Sequence, residues 1–580
     1  MVNNVKILVI CLAACLGLFA IGADAQELGA DKPLQPQSLK FSGIYDLKQA
    51  EPNLTGSGVK FAIVSRSLTY IDGKPQNDYR PGNTHNCLNA AQLKFKDQGQ
   101  PTPGISAHST AICSILFGND PNACDPQLGK FHYQGITPDA QGQVYEFWHF
   151  LINNVFPNSP PQADIITASI GSPFEDWWTR GIESMAEHAG LIVVAGIGNG
   201  LDAYDPPLYP AAGSNVIAVG VIDTVNTPDL ATNLANFSLA YPHLSSFGPT
   251  DKGLCKPDIV APGNCLAADI NEPNSYETTG SWSSFSTPIV AGTLGLLVQK
   301  AKQDPNLAGA ISPQGGNCVT RAILMNSATK LPYWHKGRLE KTDDHQVPLD
   351  YIQGAGLLNA TGAYEHLIAG ENKPGSVPAT GWDLNQLDEE QPLENSYRIT
   401  IQKQSPKEKI ITATIVWNRH YSSEYPFEPQ PEKDGNLRLE LWAIDPNDPN
   451  NDYLMDFSDS NIDNVEHIYY TADSNYTNYQ IVVLFSSAGD PNQITPAPRY
   501  GLAWNVSDRE DKESIFWYDL NADGVVDEMD FIILVNNLIT STKTPGTYLL
   551  GDINANGAID INDFQILMDH RNLKATWYTE

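Results

Sequence analysis

Two stretches near the carboxyl end of the chain space oxygen-bearing side chains in the same way. Each begins Asp-x-Asn-x-Asp/Asn-Gly, ends in an Asp at its twelfth position, and opens a helix-like run with one apolar face. The first stretch offers side-chain oxygens from Asp519, Asn521, Asp523, Asp527 and Asp530, and the backbone carbonyl oxygen of Val525. The second stretch offers side-chain oxygens from Asp552, Asn554, Asn556, Asp560 and Asp563, and the backbone carbonyl oxygen of Ala558. Oxygens at this spacing, with Gly at position 6 for a sharp turn, predict two bound calcium ions.

A serine, a histidine and an asparagine occupy three other motifs. Ser284 lies in Trp-Ser-Ser-Phe-Ser-Thr-Pro-Ile-Val-Ala-Gly, residues 282–292, at the expected start of a helix, where unpaired N–H groups favour developing negative charge. His108 lies in Ala-His-Ser-Thr-Ala-Ile-Cys-Ser, and an imidazole with a near-neutral pKa can take and return a proton. Asn199 ends Val-Val-Ala-Gly-Ile-Gly-Asn after an apolar run. Taken singly, a helix cap, a structural histidine and a turn asparagine are the alternatives.

In order and register these motifs, with Gly-Ile-Thr-Pro-Asp-Ala at 135–140, resemble those of the subtilisin-like serine peptidases over roughly residues 40–370. The resemblance implies that Ser284 is the nucleophile, His108 the general base and Asn199 the oxyanion donor of an endopeptidase that works by acyl transfer. It also implies a substrate-binding edge and pocket at Ser169, Ile170, Gly171, Ala195 and Gly196.

The acid of the family's triad is missing. Residues 56–67 match the segment that carries it, and Ser65 stands at its position. In the family this carboxylate fixes the tautomer of the histidine and stabilises the imidazolium, and in subtilisin its loss lowers kcat by a factor of about 3 × 10⁴. Asp72 and Asp78 follow, but each lies beyond the strand end and would need a loop that folds back.

Three further residues differ from the family's pattern. Ser109 and Ala111 replace the Gly and the second His of His-Gly-Thr-His, and Trp282 replaces the Gly two residues before the nucleophile. A bulky ring at that position stands where backbone and substrate approach closely. We therefore expect weak or lost activity.

Elements that could position these residues alternate along the first part of the chain. Apolar runs at 59–64, 164–169, 191–195 and 216–221 indicate buried parallel strands, and 181–190 and 284–302 indicate helices. This alternation predicts a doubly wound α/β sheet. Short alternating runs at 397–401, 410–417, 437–442, 467–470, 479–485 and 500–506 predict an all-β sandwich, which resembles the jelly-roll sandwiches that follow many subtilisin-like domains.

The expected domains are a signal peptide (1–25), a peptidase domain (26–370), a sandwich (381–507) after a linker at 371–380, and a calcium domain (512–575). The calcium domain resembles type I dockerins, which implies a cohesin partner. Loop positions 10 and 11, Glu528-Met529 and Ile561-Asn562, differ from the common Ser-Thr pair of that family. A calcium-stabilised tail without a partner is the alternative.

The amino terminus predicts export. Lys6 precedes an apolar run at 7–21, and Ala23-Asp24-Ala25 gives a small-x-small cleavage pattern. The run is short for a transmembrane helix, and a lipobox at Cys15 is the alternative. The formal net charge of −32, from 35 Lys+Arg and 67 Asp+Glu, argues against nucleic acid and anionic membranes as partners. Disulfides are permitted, with pairing open, among Cys87, Cys113, Cys124, Cys255, Cys265 and Cys318.

The sequence thus predicts a secreted or cell-surface endopeptidase with an incomplete triad, attached to a cohesin through a calcium-dependent dockerin, with no organic cofactor. A pseudopeptidase that binds extended peptides or serves as a scaffold is the main alternative. A third interpretation makes cohesin binding the principal function.

Overall fold

The computed structural model describes residues 39 and 41–574, apart from 67–69, 72–73, 76–77, 99–103, 126–128, 223–244, 271, 333, 338–344, 388–393, 402–406, 434, 446–450, 487–497, 510–513, 522–523, 542–550 and 555–557. The predicted signal peptide lies outside the described residues, as do Asp72, Asp523 and Asn556. Among the helices that the structure describes, none combines the length and the apolar character that crossing a bilayer requires.

A parallel sheet forms the centre of the first part of the chain. Its strands and the short hairpins beside it are β1 (Lys60–Ser65), β2 (Tyr70–Ile71), β3 (Lys74–Pro75), β4 (Leu93–Lys96), β5 (Asn119–Asp125), β6 (Gly129–Gln134), β7 (Gln141–Glu146), β8 (Ile165–Ala168), β9 (Ile192–Gly196), β10 (Ile217–Ile222), β11 (Ile259–Pro262), β12 (Leu266–Ala268) and β13 (Tyr276–Thr278). The described sheet has the order β11-β10-β9-β8-β1-β7-β4, with every pair parallel. The predicted α/β fold with a parallel sheet is confirmed. The chain order reverses at β1, and the crevice outside the carboxyl end of such a strand is where these sheets place their sites.

Helices cover both faces of this sheet. They are α1 (Ile44–Ala50), α2 (Ala107–Phe117), α3 (Phe147–Phe150), α4 (Trp177–Ala189), α5 (Gly200–Ala203), α6 (Ser283–Gln303), α7 (Gly316–Ser327) and α8 (Ala360–Ile368). A π-helical turn, Leu151–Val155, continues α3, and a 3-10 helix, Pro305–Ile311, follows α6. α4 begins earlier than the predicted start at 181 because Asp176 and Thr179 form a capping box at its first turn.

Successive side chains of β1 are buried in two separate hydrophobic cores, one on each face of the sheet. Ile63 is in register with Val144 of β7, and both are buried among residues of α2 and α6. The next pair, Val64 and Tyr145, is buried instead with residues of α4. Because successive side chains point to opposite faces of a sheet, the last residue of β1, Ser65, lies on the α2–α6 side.

Two further sheets pack against each other after residue 374. Their strands are β14 (Gly375–Ser376), β15 (Thr380–Gln386), β16 (Glu394–Thr400), β17 (Lys409–Trp417), β18 (Leu437–Ala443), β19 (Tyr453–Ser458), β20 (Val465–Thr471), β21 (Asn478–Phe485) and β22 (Arg499–Asp508). The orders are β14-β16-β21-β18-β19 and β15-β22-β17-β20. Both sheets contribute to one core, which includes the buried Trp417 and Trp504. The six predicted strands are present, and β14 and the start of β15 occupy part of the predicted linker.

The sheet with β22 lies directly against the peptidase part. A Cβ atom at Gly501 of β22 would stand 2.4 Å from the backbone nitrogen of Val319 in α7. Only glycine permits so close an approach of strand and helix. The two parts of the chain therefore share a tight interface.

The last part of the chain contains a 3-10 turn, Ile515–Trp517, and two helices, α9 (Glu528–Asn537) and α10 (Ile561–Asp569). Asp527 and Asp560 each form a capping box at the start of a helix. The two helices share a small core of their own. Phe516 does not belong to that core, because it is buried among Phe41, Val260 and Leu331 of the peptidase part.

Candidate active site

The predicted nucleophile lies four residues before a proline of the same helix. Ser284 is the second residue of α6, and it is half-buried. Pro288 has no N–H, so it cannot donate to the Ser284 carbonyl as a helical residue otherwise would. The Ser169 hydroxyl donates to this carbonyl instead, at 2.8 Å. One hydrogen bond therefore joins the predicted substrate edge to the predicted nucleophile.

The side chain of Asn199 is oriented by the residue beside the nucleophile. Its Oδ1 accepts the backbone N–H of Ser283 at 2.9 Å and the Ser283 hydroxyl at 3.0 Å. Its own backbone N–H donates to Asp205 at 3.0 Å. Because Oδ1 meets two donors, the opposite end of the amide is the NH₂ group, which makes no hydrogen bond to the described residues. An NH₂ group held in this way can donate to an oxyanion.

His108 lies at the start of α2, near the start of α6. Ser106 caps α2 by accepting the Ser109 N–H at 3.1 Å. The His108 ring lies 5.7 Å from the ring of Phe285, the residue after the predicted nucleophile. Burial lowers the pKa of His108 to about 4. The imidazole is therefore neutral, and able to accept a proton, at mildly acidic and neutral pH.

Ser65 pairs with the neighbour of His108 rather than with the imidazole. It is 2% exposed, and its Oγ accepts the Ser109 hydroxyl at 3.2 Å. No hydrogen bond joins the His108 ring to another residue of the described chain. Ser65 and Ser109, two positions at which the chain departs from the family, therefore bond to each other, and no residue that the structure describes fixes the tautomer of the imidazole.

The predicted substrate edge follows β8. Ser169 and Ile170 are half-buried, and the next residues pair with the strand-like segment at Tyr209, whose backbone exchanges two 2.8 Å hydrogen bonds with Ser172. A Cβ atom on Gly171 would stand 2.6 Å from the Cβ of Leu208, so the approach of these two segments requires glycine.

The predicted pocket residues of β9 lie on two sides of the sheet. Gly196 faces α6, since a Cβ atom there would stand 3.0 Å from the Ser283 hydroxyl. Ala195 is buried on the opposite face, in the core shared with α4. The structure thus brings Gly196 to the site, together with Ser284, Asn199 and His108, and keeps the Ala195 side chain away from it.

One acidic residue near the site was not expected from the sequence. Glu146 ends β7, in register with Ser65, and is 4% exposed. Its Oε2 accepts the His149 N–H at 2.8 Å and so caps α3, whereas its Oε1 is buried without a hydrogen-bond partner. The signal available in the sequence was one acidic residue inside Val-Tyr-Glu-Phe, residues 144–147, three residues after the 135–140 motif ends.

The two predicted calcium loops repeat one set of backbone contacts. In the first, Asp530 Oδ1 accepts the N–H groups of Leu520 at 2.6 Å and Asn521 at 3.3 Å, and Oδ2 accepts that of Asp527 at 2.8 Å. In the second, Asp563 accepts from Ile553 at 2.8 Å, Asn554 at 3.1 Å and Asp560 at 2.9 Å. The equivalence supports the predicted duplication.

The donors of these loops suit a hard cation. Asp519, Asp530, Asp552 and Asp563 are all buried, and Gly524 has the positive φ of 93° that a sharp turn requires. Carboxylate, amide and carbonyl oxygens are the ligands that calcium prefers. Within the described ranges no three His, Cys, Asp or Glu side chains already converge on one point. The number of ions therefore stays a prediction.

The six cysteines of the described chain are free thiols. Cys124 is exposed and the others are buried, and burial is the largest cause that raises the pKa of each buried thiol. The permitted disulfides are therefore not formed in this structure.

Family models match two parts of the chain. A model described as the subtilase family matches residues 51–356, and one described as the dockerin type I domain matches residues 517–570. The predicted combination of a subtilisin-like peptidase with a type I dockerin is thereby confirmed. Domains of the second kind bind calcium.

Similar proteins are serine proteases. AprX of Bacillus subtilis (strain 168) is 30% identical over 278 residues, which span 44% of this chain and 59% of AprX. Thermitase of Thermoactinomyces vulgaris is 28% identical over 321 residues, 52% of this chain and 92% of thermitase. The structure of the psychrophilic subtilisin-like protease Apa1 from the Antarctic psychrotroph Pseudoalteromonas sp. AS-11 covers 59% of this chain and 100% of Apa1, at 14% identity and a TM-score of 0.39. Since the subtilase model matches more than half of the residues, this chain belongs to the subtilase family.

Proposed function

We propose that this chain is a secreted serine endopeptidase whose turnover is reduced because Ser65 replaces an acid, and whose dockerin domain binds a cohesin. The observation that most supports the peptidase is the orientation of Asn199, because its Oδ1 accepts two hydrogen bonds from Ser283, the residue before Ser284, and its NH₂ group is therefore turned away from Ser283. An NH₂ group oriented in this way supports a role as donor to a developing oxyanion.

In the proposed reaction Ser284 Oγ bonds to the carbonyl carbon of the scissile peptide while His108 Nε2 takes its proton. The oxyanion that forms accepts hydrogen bonds from the NH₂ group of Asn199 and from the first turn of α6. As the C–N bond breaks, His108 passes the proton to the leaving nitrogen, and water then releases the acyl group by the reverse use of the same base.

The weak point of this machinery is the charged imidazole. His108 is neutral in the free protein because burial lowers its pKa to about 4. Each acyl transfer must create an imidazolium there, and Ser65 is neutral and bonded to Ser109. Unless another negative charge stabilises the imidazolium, the free energy needed to form it lowers kcat and leaves substrate binding unchanged.

A fluorophosphonate probe tests the proposal, because it reacts with an activated serine and needs no knowledge of the substrate. We expect time-dependent labelling of the wild-type chain, none in Ser284→Ala, and an adduct that peptide mass spectrometry assigns to Ser284 and not to Ser283. The adjacent hydroxyl is the internal control. Labelling that survives in Ser284→Ala, or its absence from the wild type between pH 5 and 10, contradicts the proposal.

A pseudopeptidase that binds extended peptides is the second candidate. The observation in its favour is that no described residue hydrogen-bonds to the His108 ring. It predicts a wild-type chain that binds peptides along the Ser169–Gly171 edge and does not react with the probe.

The cohesin partner rests on the duplicated loops and on apolar side chains that α9 and α10 leave exposed, namely Met529, Ile532, Ile561 and Met568. Exposed apolar residues of this kind favour a protein interface. We expect immobilised type I cohesin domains to retain the chain in calcium and to release it in EDTA. Retention that is equal in both buffers would refute calcium-dependent docking.

A further inference from the structure

A buried carboxylate lies one strand away from the position that lacks its acid. Glu146 and Ser65 are the last residues of β7 and β1, and they are partners in the parallel register. The pair two residues earlier, Ile63 and Val144, is buried under α2 and α6. Since side chains two apart on a strand share a face, Glu146 and Ser65 both point to the side from which His108 approaches.

The hydrogen bonds of Glu146 leave one oxygen unused. Oε2 caps α3 through the His149 N–H, but Oε1 is buried and has no hydrogen-bond partner. No cation pairs with this carboxylate within the described chain. A buried carboxylate oxygen without a hydrogen-bond partner is destabilising, so Oε1 gains by accepting a donor that comes within reach.

We infer that Glu146 is a positioning residue that supplies the negative charge missing at residue 65, and that its Oε1 accepts the Nδ1–H of His108 during catalysis. The inference rests on the proposed peptidase function. Adjacent strands are about 4.8 Å apart, and a glutamate is one methylene longer than the aspartate that it replaces, so the longer side chain compensates for part of the displacement.

In the free protein the two groups are not hydrogen-bonded, and the contact forms as substrate binds, which is usual for catalytic hydrogen bonds. Proton transfer is unchanged by this assignment. Ser284 Oγ gives its proton to His108 Nε2 as the C–O bond forms, Nδ1–H stays on the imidazolium and donates to Glu146, and the Nε2 proton leaves with the amine.

The test is a cycle of full-length variants with Ser284 labelling by fluorophosphonate as the first readout. Glu146→Gln keeps the length of the side chain and an oxygen that can cap α3, so it removes the charge alone. We expect it to slow labelling by at least about 10-fold, within the range that general-base catalysis contributes. Ser65→Asp should then accelerate labelling more in the Glu146→Gln chain than in the wild type, because one carboxylate suffices and two repel each other.

Glu183→Gln is the matched control. Glu183 lies on α4, is fully buried, and also has one oxygen without a hydrogen-bond partner. It lies on the other face of the sheet, so its loss should change labelling less than about twofold while testing the general effect of removing a buried carboxylate. Labelling of Glu146→Gln at the wild-type rate would overturn the inference and leave the peptidase intact.

The pKa of His108, measured by NMR on histidine-labelled Ser284→Ala chains, with and without Glu146→Gln, saturated with a casein-derived peptide, separates the inference from the proposed function. Removal of a nearby negative charge lowers the pKa of an imidazole. A lower pKa with Glu146→Gln than without it supports the contact even if Ser284 proves unreactive and the peptidase proposal fails. An unchanged pKa together with unchanged labelling rejects Glu146.

Discussion

The hydroxyl of Ser65 accepts a hydrogen bond from the hydroxyl of Ser109. Ser65 stands where the family has the triad Asp, and Ser109 stands where it has a Gly. The bond from Ser109 to Ser65 is 3.2 Å long, and both side chains are buried. A carboxylate at residue 65 would find the same Ser109 donor and would lie beside the start of α2. The Ser109 hydroxyl could therefore donate a hydrogen bond to an aspartate introduced at residue 65.

In the Glu146→Gln chain, Ser65→Asp should raise the labelling rate and kcat by about 10-fold or more, because the carboxylate fixes the His108 tautomer and stabilises its charged form, and the wild-type chain should gain less. Steady-state hydrolysis of a casein-type substrate and the probe rate would measure the gain. Ser65→Asn is the control, because asparagine is nearly equal in size to aspartate but neutral, and its labelling rate and kcat should rise little. Unchanged turnover in Ser65→Asp would place the defect at Trp282 or in residues 107–114.

At the scale of elements, the calcium loops are the clearest case of local sequence that determines a structure. α9 and α10 begin at capping boxes, and the carboxylates before them are buried. Buried carboxylates repel one another unless a cation compensates their charge. The helices should therefore depend on the ion.

We expect hydrogen exchange at 528–537 and 561–569 to slow on calcium addition and to accelerate in EDTA, since metal binding contributes directly to the stability of such loops. Mass spectrometry of the full chain would measure this. The amides of α6 are the internal control, and Asp552→Ala should abolish the response of α10 first. Equal exchange with and without calcium would refute the calcium assignment.

Elements with strong periodicity were predictable, and elements without it were not. The predicted strands at 59–64 and 410–417 lie within one residue of β1 and β17 because their apolar runs are continuous or alternate cleanly. β7, Gln-Gly-Gln-Val-Tyr-Glu, and the edge strand β19 carry polar residues, and both were missed.

The site shows the same division. Ser284, His108 and Asn199 could be proposed because each stands in a long local motif. Contacts that depend on strand register or chain crossing could not be found, and the pairing of Glu146 with Ser65 and the bond from Ser169 to Ser284 are both of this kind. Register follows from the packing of whole strands, and a single sequence does not fix it.

At the scale of the molecule, the dockerin is packed onto the peptidase part. Phe516 meets the ring of Phe41 edge-on at 5.1 Å, and the N–H of Ser514 donates to the carbonyl of Lys330 at 2.9 Å. Loss of a buried phenylalanine typically costs about 3–5 kcal/mol. This contact is therefore expected to contribute to holding the start of the dockerin against the peptidase part.

Phe516→Ala should release the start of the dockerin, and the amides of residues 514–519 should exchange at least about 10-fold faster, since 1.4 kcal/mol already corresponds to that factor. Exchange measured by mass spectrometry on the full chain would show it. Ile532→Ala, which removes an exposed side chain from α9, is the control. Similar exchange in the two variants would mean that Phe516 does not hold the domain.

The packing of Phe516 against the peptidase part also affects which substrate proteins the proposed peptidase could reach. A peptidase joined to its anchor by a long tether sweeps a wide volume and meets whatever diffuses into it. Here Phe516 packs the start of the dockerin against the peptidase part, so a chain bound to a cohesin as proposed would hold its cleft in a narrower range of directions. The proteins at risk of cleavage would then be those brought close to the same support, and their spacing along it would decide which bonds are reached.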